Sequence, residues 1–192
     1  GLLDLPLPAL PGPHQIDNAG AALAALRHLG ADEAACEAAV TKAYWPARMQ
    51  RLTTGPLIDA AGSCELWLDG GHNPAGGMAV AATLARMPRK PTHLIVGMLN
   101  TKDIGGYMRP IAAEAASLTA VSIPGEANTL SAEETQKAAL ALFGPLLPLV
   151  KVECVLDAEG DVRSRLSPIP IDRSTPGAFA LWLLKRGVGI RN

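Results

Sequence analysis

No stretch of these 192 residues approaches the ~20-residue uninterrupted apolar run of a membrane-spanning helix, although 48% of the chain is hydrophobic. Charges, Gly and Pro interrupt every apolar segment, so a soluble protein with no membrane partner is expected. A dominant charge is missing too. Lys and Arg total 17 against 18 Asp and Glu, with no block of like charge, which argues against a nucleic-acid partner. Cysteine is scarce. Cys36, Cys64 and Cys154 are far apart, with no C-x-x-C pair and no signal-peptide pattern at the front, as expected of reduced thiols in a cytoplasmic protein. A phosphate loop of the form G-x-x-x-x-G-K-[ST] is also lacking. The chain opens on Leu5-Pro6-Leu7-Pro8-Ala9-Leu10-Pro11-Gly12-Pro13, a proline-rich loop that points to a piece of a larger protein.

What is present is regular in its middle. Gln15 to Leu29 suits a helix stopped by Gly30, and Asp32 caps a second helix running to about Tyr44. Trp45-Pro46 breaks the pattern. Arg48 to Leu52 alternates like a strand, and Gly55-Pro56 marks a turn. Strands over 65–69, 93–97 and 118–123 then alternate with helices over 74–87, 104–117 and 132–142. That alternation predicts an α/β fold with a mostly parallel sheet and helices on both faces. Ser131 and Glu134 form a capping box for the last helix. A further strand is expected within 149–156, whereas 157–192 offers only the short apolar run Phe179 to Leu184.

Polar residues gather where the strands end. Leu66-Trp67-Leu68-Asp69-Gly70-Gly71-His72-Asn73-Pro74 takes a buried strand through a carboxylate, two glycines, an imidazole and an amide into a helix. Ligands of open α/β sheets bind at such carboxyl-edge corners. Turn chemistry alone also accounts for Asp69, the glycines and Pro74. Gly97-Met98-Leu99-Asn100-Thr101-Lys102-Asp103 follows the next strand and would bring Lys102 and Asp103 to the same crevice as His72, or leave them as a solvated loop with an N-cap. Gly125-Glu126-Ala127-Asn128-Thr129 makes a third polar corner. Upstream, Trp45-Pro46-Ala47-Arg48 sets a guanidinium after a rigid bend, suited to clamping a phosphate or simply exposed beside a buried Trp. His14-Gln15-Ile16-Asp17-Asn18 begins the first helix, where plain capping is the simpler account.

In order, His14-Gln15 with Asn18-Ala19, Trp45-Pro46-Ala47-Arg48, Leu68 to Pro74, and Gly97-Met98-Leu99 with Lys102-Asp103 resemble the folylpolyglutamate synthase/dihydrofolate synthase family of Mur-type ligases, in its carboxy-terminal portion. The resemblance implies the end of a central ATP-binding domain over 1–48, a Rossmann-like ligase domain over 49–145 and a divergent tail over 146–192. It implies that L-glutamate is joined to dihydropteroate, tetrahydrofolate or both through an acyl phosphate made with ATP and Mg²⁺, by a monomer when full length. Asn18, Arg48 and Asp69 would meet the nucleotide, and His72, Lys102 and Asp103 would carry catalytic roles. No metal ligand is assigned here: the family's phosphate loop and Mg²⁺ ligands lie in its amino-terminal portion, so this chain alone is expected to be inactive. The family's Gly-Ser-Leu-Tyr segment is absent between Phe143 and Asn192. A peptidoglycan-precursor ligase domain and a noncatalytic nucleotide-binding or interaction fragment are the alternatives.

Overall fold

The computed structural model describes residues 3–123, 125–144, 151–154 and 179–182. A loop leads into α1 (His14–His28), which turns at Gly30 (φ 86°) into α2 (Glu33–Thr41). The Asp32 carboxylate accepts the Ala35 N–H at 2.8 Å, capping α2 as its sequence predicts. This hairpin is thinly packed. Gln15 alone of α1 is buried. The opening loop touches the hairpin at one point and the later helix that carries Thr83 at another: Ala9 N–H donates to Val40 O at 3.0 Å, and Gly12 (φ 117°) passes so close to Thr83 that a Cβ would lie 2.6 Å from its Oγ1.

After a linker come β1 (Gln50–Leu52), α3 (Pro56–Ala61) and β2 (Glu65–Leu68). Gly55-Pro56 therefore starts a short helix rather than only a turn, because proline at the first helical position loses no hydrogen bond. The chain continues through α4 (Pro74–Leu84), β3 (Thr92–Val96), α5 (Ile104–Ile111), β4 (Ser117–Ala120), α6 (Ala132–Phe143), β5 (Lys151–Cys154) and β6 (Phe179–Trp182). The helix expected over 104–117 is shorter. Pro110 supplies no backbone donor, a 3₁₀ turn follows at Ala112–Glu114, and Ala116 N–H already bonds Thr92 O at 2.7 Å.

The six strands run in the order β1-β2-β6-β3-β4-β5. β1 is antiparallel to β2, and every other pairing is parallel. The expected mostly parallel sheet is thus present. The strand nearest its middle comes from the part of the sequence that offered least: β6 pairs Leu66↔Ala180 on one side and His93↔Ala180 on the other. One expectation is corrected. The steps β2 to β3, β3 to β4 and β4 to β5 all move the same way across the sheet, so crossovers of one hand put α4, α5 and α6 side by side on one face rather than dividing them between two.

That face holds the core. Leu94, Val96, Leu118 and Ala120 point from the strands into Val80, Leu84, Met108, Ile111, Ala139 and Phe143 of the helices, and Trp67 packs on the cluster's margin. Burying one such large apolar side chain is worth roughly 1.5–3 kcal/mol. Gly77 lets α4 and α5 touch backbone to side: a Cβ there would collide with the Tyr107 carbonyl and lie 3.0 Å from Pro110 Cγ. The parallel register then places the ends of β2, β3 and β4 on one edge, with the first turns of α4 and α5 beside them.

Candidate functional site

At the end of β2 the Asp69 side chain turns inward and is 7% exposed. Its Oδ1 accepts the Gly71 N–H at 2.7 Å and its Oδ2 accepts the Met49 N–H at 2.8 Å. Gly70 N–H donates to Ala47 O at 2.8 Å, so the corner grips the linker twice. Arg48 lies between the gripped residues. Ala47 (φ 55°) and Met49 (φ 43°) are left-handed, a conformation that costs an L side chain roughly 1–2 kcal/mol. Burial pushes the Asp69 carboxyl above its ordinary range, against the pull of the Met49 and Gly71 amides and of the Arg48 and His14 charges.

The Arg48 guanidinium is exposed and makes no hydrogen bond or ion pair among the described residues. Trp45 beside it is 64% exposed, so the picture of an arginine leaning on a buried tryptophan does not hold. A relay runs in from α1. Asn18 Nδ2 donates to Gln15 Oε1 at 3.0 Å, which turns the Gln15 amide nitrogen toward His14 Nε2 at 2.9 Å. His14 Nε2 must then accept, so the neutral ring carries its proton on Nδ1. That buried Nδ1 has no partner among the described residues. Burial and then the Arg48 charge push the His14 pKa down, with Asp69 and Asp17 pulling it the other way.

His72 sits on the same corner. A carbonyl can only accept, so its Nδ1–H donates to Gly70 O at 3.0 Å, which leaves Nε2 of the neutral ring as an acceptor. Asn73 caps α4 by accepting the Gly76 N–H at 2.8 Å. The second corner adjoins the first, since a Cβ on Gly106 would lie 2.7 Å from Pro74 Cγ and one on Gly71 would lie 3.0 Å from Tyr107 Cε2. Asp103 there caps α5 through Gly106 N–H at 2.8 Å, while Lys102 is half-buried. The third corner is tied to the second: Asn100 N–H reaches Asn128 O at 2.8 Å, and Leu99 bridges Thr129.

The geometry thus joins His14, Asn18, Arg48 and Asp69 in one cluster and sets His72 on its rim. It gives Asp103 an evident capping duty. Two participants carried no separate signal in the sequence. Gln15 is a link only because of its i, i+3 spacing to Asn18. Tyr107, fully buried against Gly71 with its hydroxyl unpartnered among the described residues, was hidden inside a helix pattern. Burial and then the Asp69 charge push its phenol well above the usual range.

A cavity of about 450 Å³ lies elsewhere, lined by Met87, Arg89, Lys90, Thr92 and Glu114 at the entrance of β3. The opposite edge carries the polar corners, and we place the site there on its chemistry rather than by hollow volume. No group of three His, Cys, Asp or Glu among the described residues is arranged to hold a metal.

No protein-family model matches the chain. It is 34% identical over 95 residues to a probable bifunctional folylpolyglutamate synthase/dihydropteroate synthase of Halobacterium salinarum, covering 49% of this chain and 11% of that one. It is 29% identical over 87 residues to the folylpolyglutamate synthase of Lacticaseibacillus casei, covering 45% and 18%. Among solved structures, the Mycobacterium tuberculosis folylpolyglutamate synthase complexed with ADP and AMPPCP matches with TM-score 0.65 and 28% identity over 93% of this chain and 38% of that one. A bifunctional folylpolyglutamate synthase/dihydrofolate synthase with Mn, AMPPNP and L-glutamate bound shares the fold at TM-score 0.68 and 22% identity, over 94% and 38%. The chain spans about two fifths of the solved proteins and less than one fifth of the curated ones. Over the stretch it shares with them the chain is similar to folylpolyglutamate synthases.

Proposed function

We propose that this chain is the carboxy-terminal part of an ATP-dependent ligase that joins L-glutamate to dihydropteroate, tetrahydrofolate or both. Residues 1–48 are the end of a central ATP-binding domain, 49–145 a Rossmann-like domain of the Mur-ligase kind, and 146–192 a divergent tail that contributes to the same sheet. The nearly bare α1, with Ile16 51% exposed and the adjoining Leu29 80% exposed, suits a helix that belongs to a larger domain. The observation that carries the reading is convergence. His14 and Asn18, Arg48, and Asp69 come from three separate stretches of sequence and form one polar cluster at the carboxyl edge of a parallel sheet.

In the proposed reaction the carboxylate of dihydropteroate or tetrahydrofolate attacks the γ-phosphorus of ATP and ADP leaves; the glutamate amine then attacks the acyl carbon and gives up a proton, and phosphate leaves as the amide forms. Such chemistry needs positioned charge more than covalent help. The free donors of Arg48 face the phosphates, Asn18 and Asp69 form the nucleotide side of the site, and His72, on the Asp69 corner, lines the cleft with Lys102 and Asp103 of the adjoining corner. Mg²⁺ ligands and a phosphate loop are assigned to protein outside these 192 residues. Full-length protein is taken to be cytoplasmic and monomeric.

ADP titrated into the chain in a calorimeter tests the first half of this reading. Arg48→Ala should weaken binding by about tenfold to a hundredfold, the loss of a charge-assisted contact worth roughly 1.5–3 kcal/mol. Ligation of L-glutamate to dihydropteroate or tetrahydrofolate should appear only when the amino-terminal portion of a solved relative is supplied in trans. No ADP binding together with no complementation would falsify the assignment.

A further inference from the structure

We propose that the cavity at the entrance of β3 binds a small zwitterion, an α-amino acid with an apolar side chain. It lies at the far ends of α4 and β3 from the polar corners, and so is separate from the nucleotide side of the molecule. Residues 84–92 form one wall, and Ala113 and Glu114 of the 3₁₀ turn before β4 form the other. Its volume of about 450 Å³ falls within the range of roughly 300–1,000 Å³ that small-molecule pockets occupy. The two walls are tied together. Ala116 N–H donates to Thr92 O at 2.7 Å, and the Thr92 hydroxyl donates to Lys90 O at 3.3 Å. Pro88 and Pro91 fix a φ angle on either side of Arg89 and Lys90, so little ordering of the loop remains to be done on binding.

The charges decide the ligand. Arg89 on one wall and Glu114 on the other make no hydrogen bond or ion pair among the described residues, with each other or with any neighbour. An unpaired guanidinium and an unpaired carboxylate on one hollow match a carboxylate and an ammonium carried on one small molecule, and the guanidinium fork suits a carboxylate held by two parallel hydrogen bonds. Lys90 is already committed. Its Nζ donates to Glu65 Oε1 at 3.0 Å, the contact that does most to hold the Glu65 carboxyl below its ordinary range, and Arg51 approaches the same oxygen at 3.3 Å. Leu84, Met87, Pro88 and Pro91 supply the apolar part of the lining. They favour an apolar side chain and leave the carboxylate of an acidic one without a cation of its own.

The test titrates L-leucine into the isotope-labelled chain and follows the backbone amides by NMR. Those of Arg89, Lys90, Thr92 and Glu114 should shift together, with half-saturation at roughly 1 mM for so few contacts, while those of Gly70 and Gly71 stay in place. N-acetyl-L-leucine, which lacks the ammonium, and L-leucinamide, which lacks the carboxylate, should each bind about tenfold more weakly, and so should L-glutamate. Arg89→Gln and Glu114→Gln should each weaken L-leucine by about the same tenfold factor. Neither residue belongs to the core, so both variants keep the fold in which the amides are read. No shift at these four amides at about ten times that concentration would overturn the proposal. Equal binding of N-acetyl-L-leucine would also overturn it, because the hollow would then be an anion site served by Arg89 alone. L-glutamate bound as tightly as L-leucine would do the same, by showing that the apolar lining selects nothing.

Discussion

Single residues here do work that their sequence positions announce only in part. Asp69 was legible as a polar group at a strand end, but its inward turn depends on Met49, twenty positions earlier, coming back to donate an amide. Asp69→Ala should lower unfolding free energy by about 3 kcal/mol, since two amides lose their acceptor at roughly 1–3 kcal/mol for a buried one, as read by urea denaturation. His14 gives a pH signature. Its pKa is held below 6.5 in the fold, chiefly by burial and then by Arg48, so the unfolded chain binds the extra proton first. Stability contributed by neutral His14 is therefore present above about pH 6.5 and is lost as pH falls through the window beneath that value. Replacing it, as in His14→Gln, should flatten the slope of the urea midpoint between pH 7 and pH 5. Asp69 acts with the opposite sign: a raised carboxyl favours the fold below its unfolded pKa, and that contribution fades as pH rises through the folded one.

At the level of elements, local chemistry and close packing can be tested separately. Ser131 accepts the Glu134 N–H at 3.1 Å while Glu134 Oε2 accepts the Ser131 N–H at 2.8 Å, so the capping box read from sequence is formed on both sides. Ser131→Ala should cost about 1 kcal/mol, measured as a drop in Tm. Gly77 is a different case. Sequence marks it as a poor helix residue, yet its lack of a side chain is what brings α4 onto the Tyr107 carbonyl. Gly77→Ala should raise helix propensity and still destabilise by roughly 1–3 kcal/mol, because the two helices must separate. A rise in Tm for this variant would show that the α4–α5 approach is looser than described. In α5 the expected span 104–117 is cut short: Pro110 supplies no backbone donor, a 3₁₀ turn follows, and Ala116 N–H is taken by Thr92 O.

Across the whole molecule, β6 joins the strand that carries Asp69 to the strand that leads to Lys102. Its registers Leu68↔Trp182 and Ile95↔Trp182 make it the shared neighbour of β2 and β3. Ending the chain before Phe179 should therefore abolish cooperative unfolding followed by far-UV circular dichroism, even though every motif of the candidate site remains. Alternation of strands and helices, caps and the polar corners are local properties of the chain and were sufficient for an α/β fold, while the shortlist containing Asn18, Arg48 and Asp69 came from the family resemblance that the ordered motifs carry. Placement of β6, the shared face of α4, α5 and α6, and the convergence of His14, Arg48 and Asp69 required the assembled sheet. Which strand fills a gap, and which distant amide reaches a carboxylate, are decided by contacts between residues far apart in sequence, whose energies exist only once the chain has closed on itself.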